Sequence, residues 1–295
     1  MAPDLKSLLT PELFTLVLET RIPFSKTEPI DFGRAIQHFF FESEAEMQAL
    51  RSAAWPALQA LSELRGLSPD LLAFLPPVSS PSFPSQALGL LLLLDQASRV
   101  LLQGVDTRWV YGYFGELALA LAQRFEALPP AQRPSARERW PGVALDYFVW
   151  VRLFFGAVLV HHESARDAAV AFTEETRALV EGRLGVRDPH RDRPDLRWDL
   201  LGFPKMLRAG GPASPCGVAE GCFWLMCLMD VHKPPLDKFG RYPYQNWRLG
   251  RVGTPEEDAW MAEAGMFGAP SDEVVKKIRQ DVENGVWTPL GSGPE

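Results

Sequence analysis

The chain has 295 residues, 46% of them hydrophobic and 23% charged, which excludes a disordered polymer and predicts a buried core. Thirty basic side chains against 37 acidic ones leave a net charge of -7. Neither half of the chain is basic, so the concentrated positive face that duplex nucleic acid demands is not expected. The 26 prolines, about 9% of the chain against the usual ~5%, predict sharply punctuated elements.

In chain order, Pro11 to Glu19 reads as a short helix on Leu13, Phe14, Leu16, Val17 and Leu18. From Phe32 to Leu64 apolar residues recur at three-to-four spacing, and Pro56 is expected to split this stretch or to start a second helix. The proline-serine run from Pro76 to Ser85 reads as an extended connection. Helices follow at Gln86–Leu102, Trp109–Phe125, Leu145–His162 and Glu163–Leu184, and the polar stretch Arg183–Arg197 reads as a surface loop. Gly217–Val231, Pro255–Ala264 and Ser271–Val282 complete the set, with Thr254, Pro255, Glu256 and Glu257 forming a helix-start signature. No stretch combines period-2 alternation with hairpin residues. The expected fold is all-α, an antiparallel helical array.

Three cysteines, Cys216, Cys222 and Cys227, are too few for a disulfide framework, and their spacing does not match zinc pairs. Among Phe223, Trp224 and Leu225 they read as core thiols. The opening Met1-Ala-Pro-Asp-Leu-Lys shows no secretory pattern. The apolar runs 87–94 and 147–160, the latter broken by Arg152, fall short of the ~20 residues a membrane span needs. The expectation is a soluble cytoplasmic protein without membrane or nucleic-acid partners.

Four places carry unusual chemistry. Asp95 and Arg99 stand four residues apart after Leu91–Leu94, with Gln96 between them, on the edge of a core helix where charges need partners. Arg152 lies inside Phe148–Phe155, where it must pair with Asp146, Asp95 or an anion, or snorkel outward; snorkelling is favoured. His161-His162-Glu163 closes the same helix, so His161 and Glu163 form a candidate acid/base pair. Finally, residues 231–251 hold Lys233, Lys238, Arg241, Arg248 and Arg251 against Asp237 alone. With Phe239, Tyr242, Tyr244 and Trp247 interleaved, this segment suits a carboxylate or phosphate ligand.

The segment also carries a resemblance. His232-Lys233, Lys238-Phe239-Gly240-Arg241-Tyr242-Pro243, Asn246, Leu249-Gly250-Arg251 and Thr254-Pro255-Glu256-Glu257 resemble the signature H-R-D…R-F-G-R-F-P-H-R-N…L-G-R…T-P-E-E of the family of domain of unknown function 924. Leu92–Arg99 is similar to its L-L-D-Q-F-P-R-N, and His161-His162-Glu163 to its H-S-E. The resemblance implies a helical fold related to tetratricopeptide-repeat proteins, without an assigned activity. By position it implies a polar set of Asp95, Gln96, Arg99, His161, Glu163, His232, Phe239, Gly240, Arg241, Pro243 and Asn246. The chain departs from the signature at Pro234, Tyr244, Gln245 and Val100, losing an acid, a histidine, an arginine and an asparagine.

Three segments are distinguished: residues 1–85 as divergent N-terminal helices on the same core, 86–267 as the motif-bearing region, and 268–295 as a C-terminal helix and tail. The preferred functional reading is a pocket for a small anionic molecule. Asp95, Gln96, Arg99, Lys238, Arg241 and Asn246 would bind, and His161, Glu163 and His232 would move protons. The alternative is a scaffold whose groove binds a peptide or protein. His161, Glu163, Asp230 and His232 form a set that would suit zinc or iron, but the preferred reading carries neither metal nor cofactor.

Overall fold

Segments with apolar residues at helical spacing become helices throughout the computed structural model, which describes residues 4–40, 44–67, 69–213, 215–265, 268 and 270–291. No strand occurs among the described residues, and the fold is all-α as expected. Met1 to Pro3 of the opening segment, and residue 267 where the motif-bearing region ends, lie outside them.

The centre of the molecule is the helix Leu145–Val160, in which every side chain from Asp146 to Val160 is buried. A helix apolar on all sides must be surrounded, and four others pack against it: Arg166–Leu184, Val218–Asp230, Gly115–Glu126 and Phe83–Leu92. Pro11–Arg21 closes over Phe83–Leu92 and also meets Glu44–Glu63. One continuous apolar cluster therefore runs from Leu5 through Phe148 and Trp150 to Leu290.

The contact between Pro11–Arg21 and Phe83–Leu92 depends on Gly89. A Cβ placed there would lie 2.2 Å from the carbonyl oxygen of Phe14. Gly89→Ala gains up to ~1 kcal/mol of helix propensity, but overpacking costs ~1–3 kcal/mol. The close backbone approach puts the cost in the upper part of that range, so the expected result is a net loss of about 1–2 kcal/mol in urea denaturation; a variant as stable as the parent would show that the two helices separate without cost.

Three local expectations are corrected. Glu44–Glu63 runs unbroken through Pro56. Pro56 and Ser52 are exposed, so the carbonyl that loses its hydrogen bond faces solvent, while Ala54, Trp55, Leu58 and Leu61 are buried on the other side. Burying each large apolar side chain contributes ~1.5–3 kcal/mol, which together outweighs the proline penalty of ~3 kcal/mol. Arg152 does not snorkel: it is 3% exposed and meets neither Asp146 nor Asp95. It donates to Thr176 Oγ1 (2.9 Å), to the carbonyls of Ser135 and Phe172, and to Glu175, and stacks on the Phe172 ring. The Arg183–Arg197 stretch is no plain surface loop, because it forms the short helices Pro189–Asp192 and Pro194–Arg197 and delivers Asp188 and Arg197 to a buried ion network.

The C-terminal segment after Asp272–Glu283 folds back onto the N-terminal half. Trp287 lies between the guanidinium groups of Arg65 (4.0 Å) and Arg108 (3.8 Å), and Leu290 donates its backbone N–H to Ser62 Oγ (2.9 Å). Cys222 and Cys227 are buried free thiols, and burial pushes the Cys227 thiol up to about 12. No helix among the described residues is long and apolar enough to cross a membrane.

Candidate functional site

Two rare backbone irregularities face each other beside the central helix. The helix that begins at Phe83–Leu92 widens into a π-turn at Leu93–Ala97 before continuing as Ser98–Leu101. A second π-turn, Val110–Phe114, opens the helix Gly115–Glu126 and packs against the first. Such turns insert one extra residue per turn and concentrate at functional sites. Here the first carries Asp95 and Gln96, and the second carries Tyr111.

Asp95 is 2% exposed and fully engaged. Arg99 donates Nε (3.1 Å) and Nη2 (3.0 Å) to its Oδ1, and Gln96 Nε2 donates to its Oδ2 at 2.6 Å. His161, the residue that caps the central helix, brings Nδ1 to 2.9 Å from both carboxylate oxygens. Burial alone would raise the Asp95 pKa, but the charges of Arg99 and His161, with the hydrogen bonds from His161 and Gln96, hold it well below the carboxylate range. An ionised carboxylate only accepts, so His161 carries its proton on Nδ1 and keeps Nε2 as a basic lone pair. Behind this group, buried Arg21 donates to Gln96 Oε1 at 3.5 Å and is pushed down to about 10 by burial, against the pull of Asp95.

His232 stands 6.2 Å from His161, centroid to centroid. Its Nδ1 donates to the Leu228 carbonyl (2.8 Å), so its Nε2 is likewise the lone-pair nitrogen. Phe203 meets its ring edge-on at 4.8 Å, a seat that requires Gly202: a Cβ there would lie 2.4 Å from Val231 Cγ1. Burial pushes His232 down to about 3, with His161 and Arg99 adding to the shift. His161 is also lowered, by burial and then by Arg99, against the pull of Asp95. Both imidazoles are therefore neutral at neutral pH.

The two rings border a cavity of about 130 Å³. Its wall is one face of the central helix (Leu153, Phe154, Ala157 and Val160), and the half-buried Phe39 and Phe203 stand opposite. Arg99, Gln96, His161 and His232 supply its polar atoms. A second cavity of about 200 Å³ lies on the other side of Arg99 and His161, lined by Tyr111, Glu116, His162, Ser164 and Gln245 among others.

Asp95, Gln96, Arg99, His161 and His232 thus come together; Glu163 meets Arg99 and His161 only at the second cavity, and Lys238, Arg241 and Asn246 line neither cavity. Glu163 borders the second cavity, but its carboxylate is bound by Arg251 (2.8 and 2.9 Å) and by the backbone N–H of Tyr242 (2.8 Å). The acid that holds His161 is Asp95. Arg241 makes a two-pronged bond to Glu257 (2.6 and 2.7 Å), and Asn246 Nδ2 donates to the same carboxylate at 3.2 Å. Glu257 also closes a capping box with Thr254 and is held down to about 2, first by its bonds from Arg241. Lys238 pairs with Glu256 at the surface (2.6 Å). Of the five basic residues in 231–251 only Arg248 has no carboxylate partner among the described residues; the other four meet Asp237, Glu256, Glu257 and Glu163. The motif there is a clasp that ties a turn to the helix Pro255–Ala264. Within it Gly240 takes a left-handed φ of 71° to end the helix Lys233–Phe239.

Asp230 is likewise occupied, by Arg177 and Arg197, and no group of three or more His, Cys, Asp or Glu among the described residues is placed to hold a metal ion. The sequence reading missed Tyr111, Phe39 and Phe203. Tyr111 lies under the guanidinium groups of both Arg99 (4.7 Å) and Arg248 (5.3 Å). Its only sequence signal is an aromatic beside a glycine in an otherwise apolar run.

No curated protein and no solved structure matches the chain. A family model does match, over residues 36–265, and it begins ahead of the motifs that carry the resemblance. With most of its length covered, the chain belongs to the family described as bacterial protein of unknown function (DUF924).

Proposed function

We propose that the protein is an acid–base enzyme acting on a small, largely apolar anionic molecule, with His161 Nε2 as the base. The observation that carries this reading is the Asp95–His161 contact beside an apolar cavity. A carboxylate on Nδ1 fixes the ring and its tautomer and stabilises the imidazolium formed on proton uptake. Arg99 supplies a cation for the substrate's charge, and neutral His232 is the second proton-handling group. Polar groups converging on a cavity favour this site over a peptide-binding groove. Glu163, Lys238, Arg241 and Asn246 serve the fold in this reading. Buried free thiols suit a reducing cytoplasm, and an all-helical fold suits a relation to tetratricopeptide-repeat folds.

The test is a proton NMR titration of the histidine ring signals. The His161 signal, assigned as the one missing in folded His161→Gln, is expected to titrate below the ordinary ~6.5 and to shift when benzoate is added at millimolar concentration. A His161 signal that titrates at the ordinary value and ignores benzoate overturns the reading.

A further inference from the structure

The cavity bordered by His161 and His232, about 130 Å³, is smaller than the roughly 150 Å³ cavities that hold a benzene ring. Its apolar wall therefore suits a short branched chain or a single ring. Its hydrogen-bonding groups narrow the choice further. Asp95 occupies Nε and Nη2 of Arg99, and Nη1 makes no hydrogen bond among the described residues, so one donor arm is left for an anion. His232 offers the opposite. Its Nδ1 is taken by the Leu228 carbonyl of the preceding helix, which leaves Nε2, at the far tip of the ring. That nitrogen has no hydrogen-bond partner among the described residues. The half-buried ring stands in the cavity wall, against Phe203 (4.8 Å) and His161 (6.2 Å). Burial keeps it neutral, so Nε2 accepts and does not donate. A ligand that fills the cavity shuts this acceptor off from water. An apolar filling would leave the lone pair unpaired, whereas a ligand hydroxyl restores the bond. An ammonium is disfavoured as the donor, because the lining residues include the Arg99 cation and, among the described residues, no carboxylate.

We propose that this cavity selects a short branched-chain hydroxy acid. The carboxylate lies on the free arm of Arg99, the branched chain packs on Leu153, Phe154 and Ala157, and the hydroxyl donates to His232 Nε2. His161 Nε2 stays open for the proton it handles. His232 is then the residue that sets specificity, since a site built to pair a hydroxyl discriminates against the analogue that lacks it. This inference rests on the reading of the cavity as a site for an apolar anion, and adds the substrate class.

Calorimetry on the full chain at pH 7 tests it with isovalerate, valine, 2-hydroxyisovalerate and 3-hydroxyisovalerate, which share one branched carbon skeleton. At least one of the two hydroxy acids is expected to bind about ten-fold or more tightly than isovalerate, and valine no more tightly than isovalerate. His232→Asn keeps a side-chain N–H near the position of Nδ1 and removes Nε2. It is expected to bring the preferred hydroxy acid to within about two-fold of isovalerate. Hydroxy acids that bind no tighter than isovalerate, valine that binds as tightly as the preferred hydroxy acid, or a His232→Asn chain that keeps the preference, overturns the inference. Absence of binding by all four probes overturns it as well. The benzoate titration of His161 uses a probe without a hydroxyl, so it judges the acid–base reading separately. The comparison of probes on the unaltered protein decides the matter even if His232→Asn does not fold.

Discussion

Arg177→Ala is expected to destabilise the protein by about 3–5 kcal/mol, the range for removing one partner of a buried ion pair. Arg177 is 0% exposed and holds two carboxylates that are themselves buried. Its Nε donates to Asp188 Oδ2 at 2.6 Å, its Nη2 to Asp230 Oδ2 at 2.5 Å, and its Nη1 to Glu174. Asp188 would keep its bonds from His190, and Asp230 its bond from Arg197 (2.7 Å), but neither replaces the lost charge. Asp230 already sits above the ordinary carboxylate value, because burial outweighs its bonds from Arg197 and Arg177. Losing Arg177 raises it further. A folded pKa above the unfolded one means that the native state binds more protons, so stability falls as pH rises through the folded value. The deficit of the variant, read from urea midpoints, is therefore expected to be smaller at pH 5 than at pH 8. A deficit independent of pH would assign the loss to packing instead. Asp230 ends the helix Val218–Asp230 two residues before His232, so the same network fixes the backbone from which that imidazole projects.

The helices were legible because their apolar spacing and end signals are local. Pro255–Ala264 has the bounds its sequence implied, since Thr254, Pro255 and Glu257 supply a cap, a fixed φ and a returning carboxylate within four residues. The Asp95–Arg99 pair was legible for the same reason, both partners lying on one helical face. The π-turns were not, because an inserted residue inside Leu90–Ala97 shifts one apolar position onto another and leaves the pattern unchanged. Charge partners were legible least of all. His161 stood beside Glu163 in sequence, yet the fold gives it Asp95, from 66 residues away, and gives Glu163 to Arg251. Likewise the basic residues of 231–251 counted as free charge until Glu163, Glu256 and Glu257 arrived from outside the segment. Local composition records the sign of a charge, whereas its neutralisation depends on tertiary distance. The family motifs therefore mixed two kinds of residue, those that face the cavity and those that hold the turn around it.

Asp95→Asn separates these roles at the cavity itself. The substitution keeps the shape of the side chain but removes the only carboxylate among the described residues that contacts both Arg99 and His161. Its expected cost is about 3 kcal/mol, the lower end for a broken buried pair, because the Arg99 side chain is 18% exposed and regains some hydration. The pH dependence has a definite sign. Asp95 is held well below the carboxylate range, so its contribution is complete above the ordinary value near ~4 and is lost as pH falls toward the folded value. The stability gap between parent and variant is thus expected to be constant from about pH 6 to 8 and to narrow below about pH 4. His161 responds in the opposite sense to simple relief of crowding. Asp95 is what pulls its pKa up against burial and Arg99, so the variant's imidazole is expected to titrate still lower than the parent's. An upward shift would mean that Arg99 leaves with its counter-ion and that the His161 environment is set by solvent. A downward shift with the stability loss identifies Asp95 as the group that keeps an imidazole basic inside an apolar wall, which is the property a general base at this position requires.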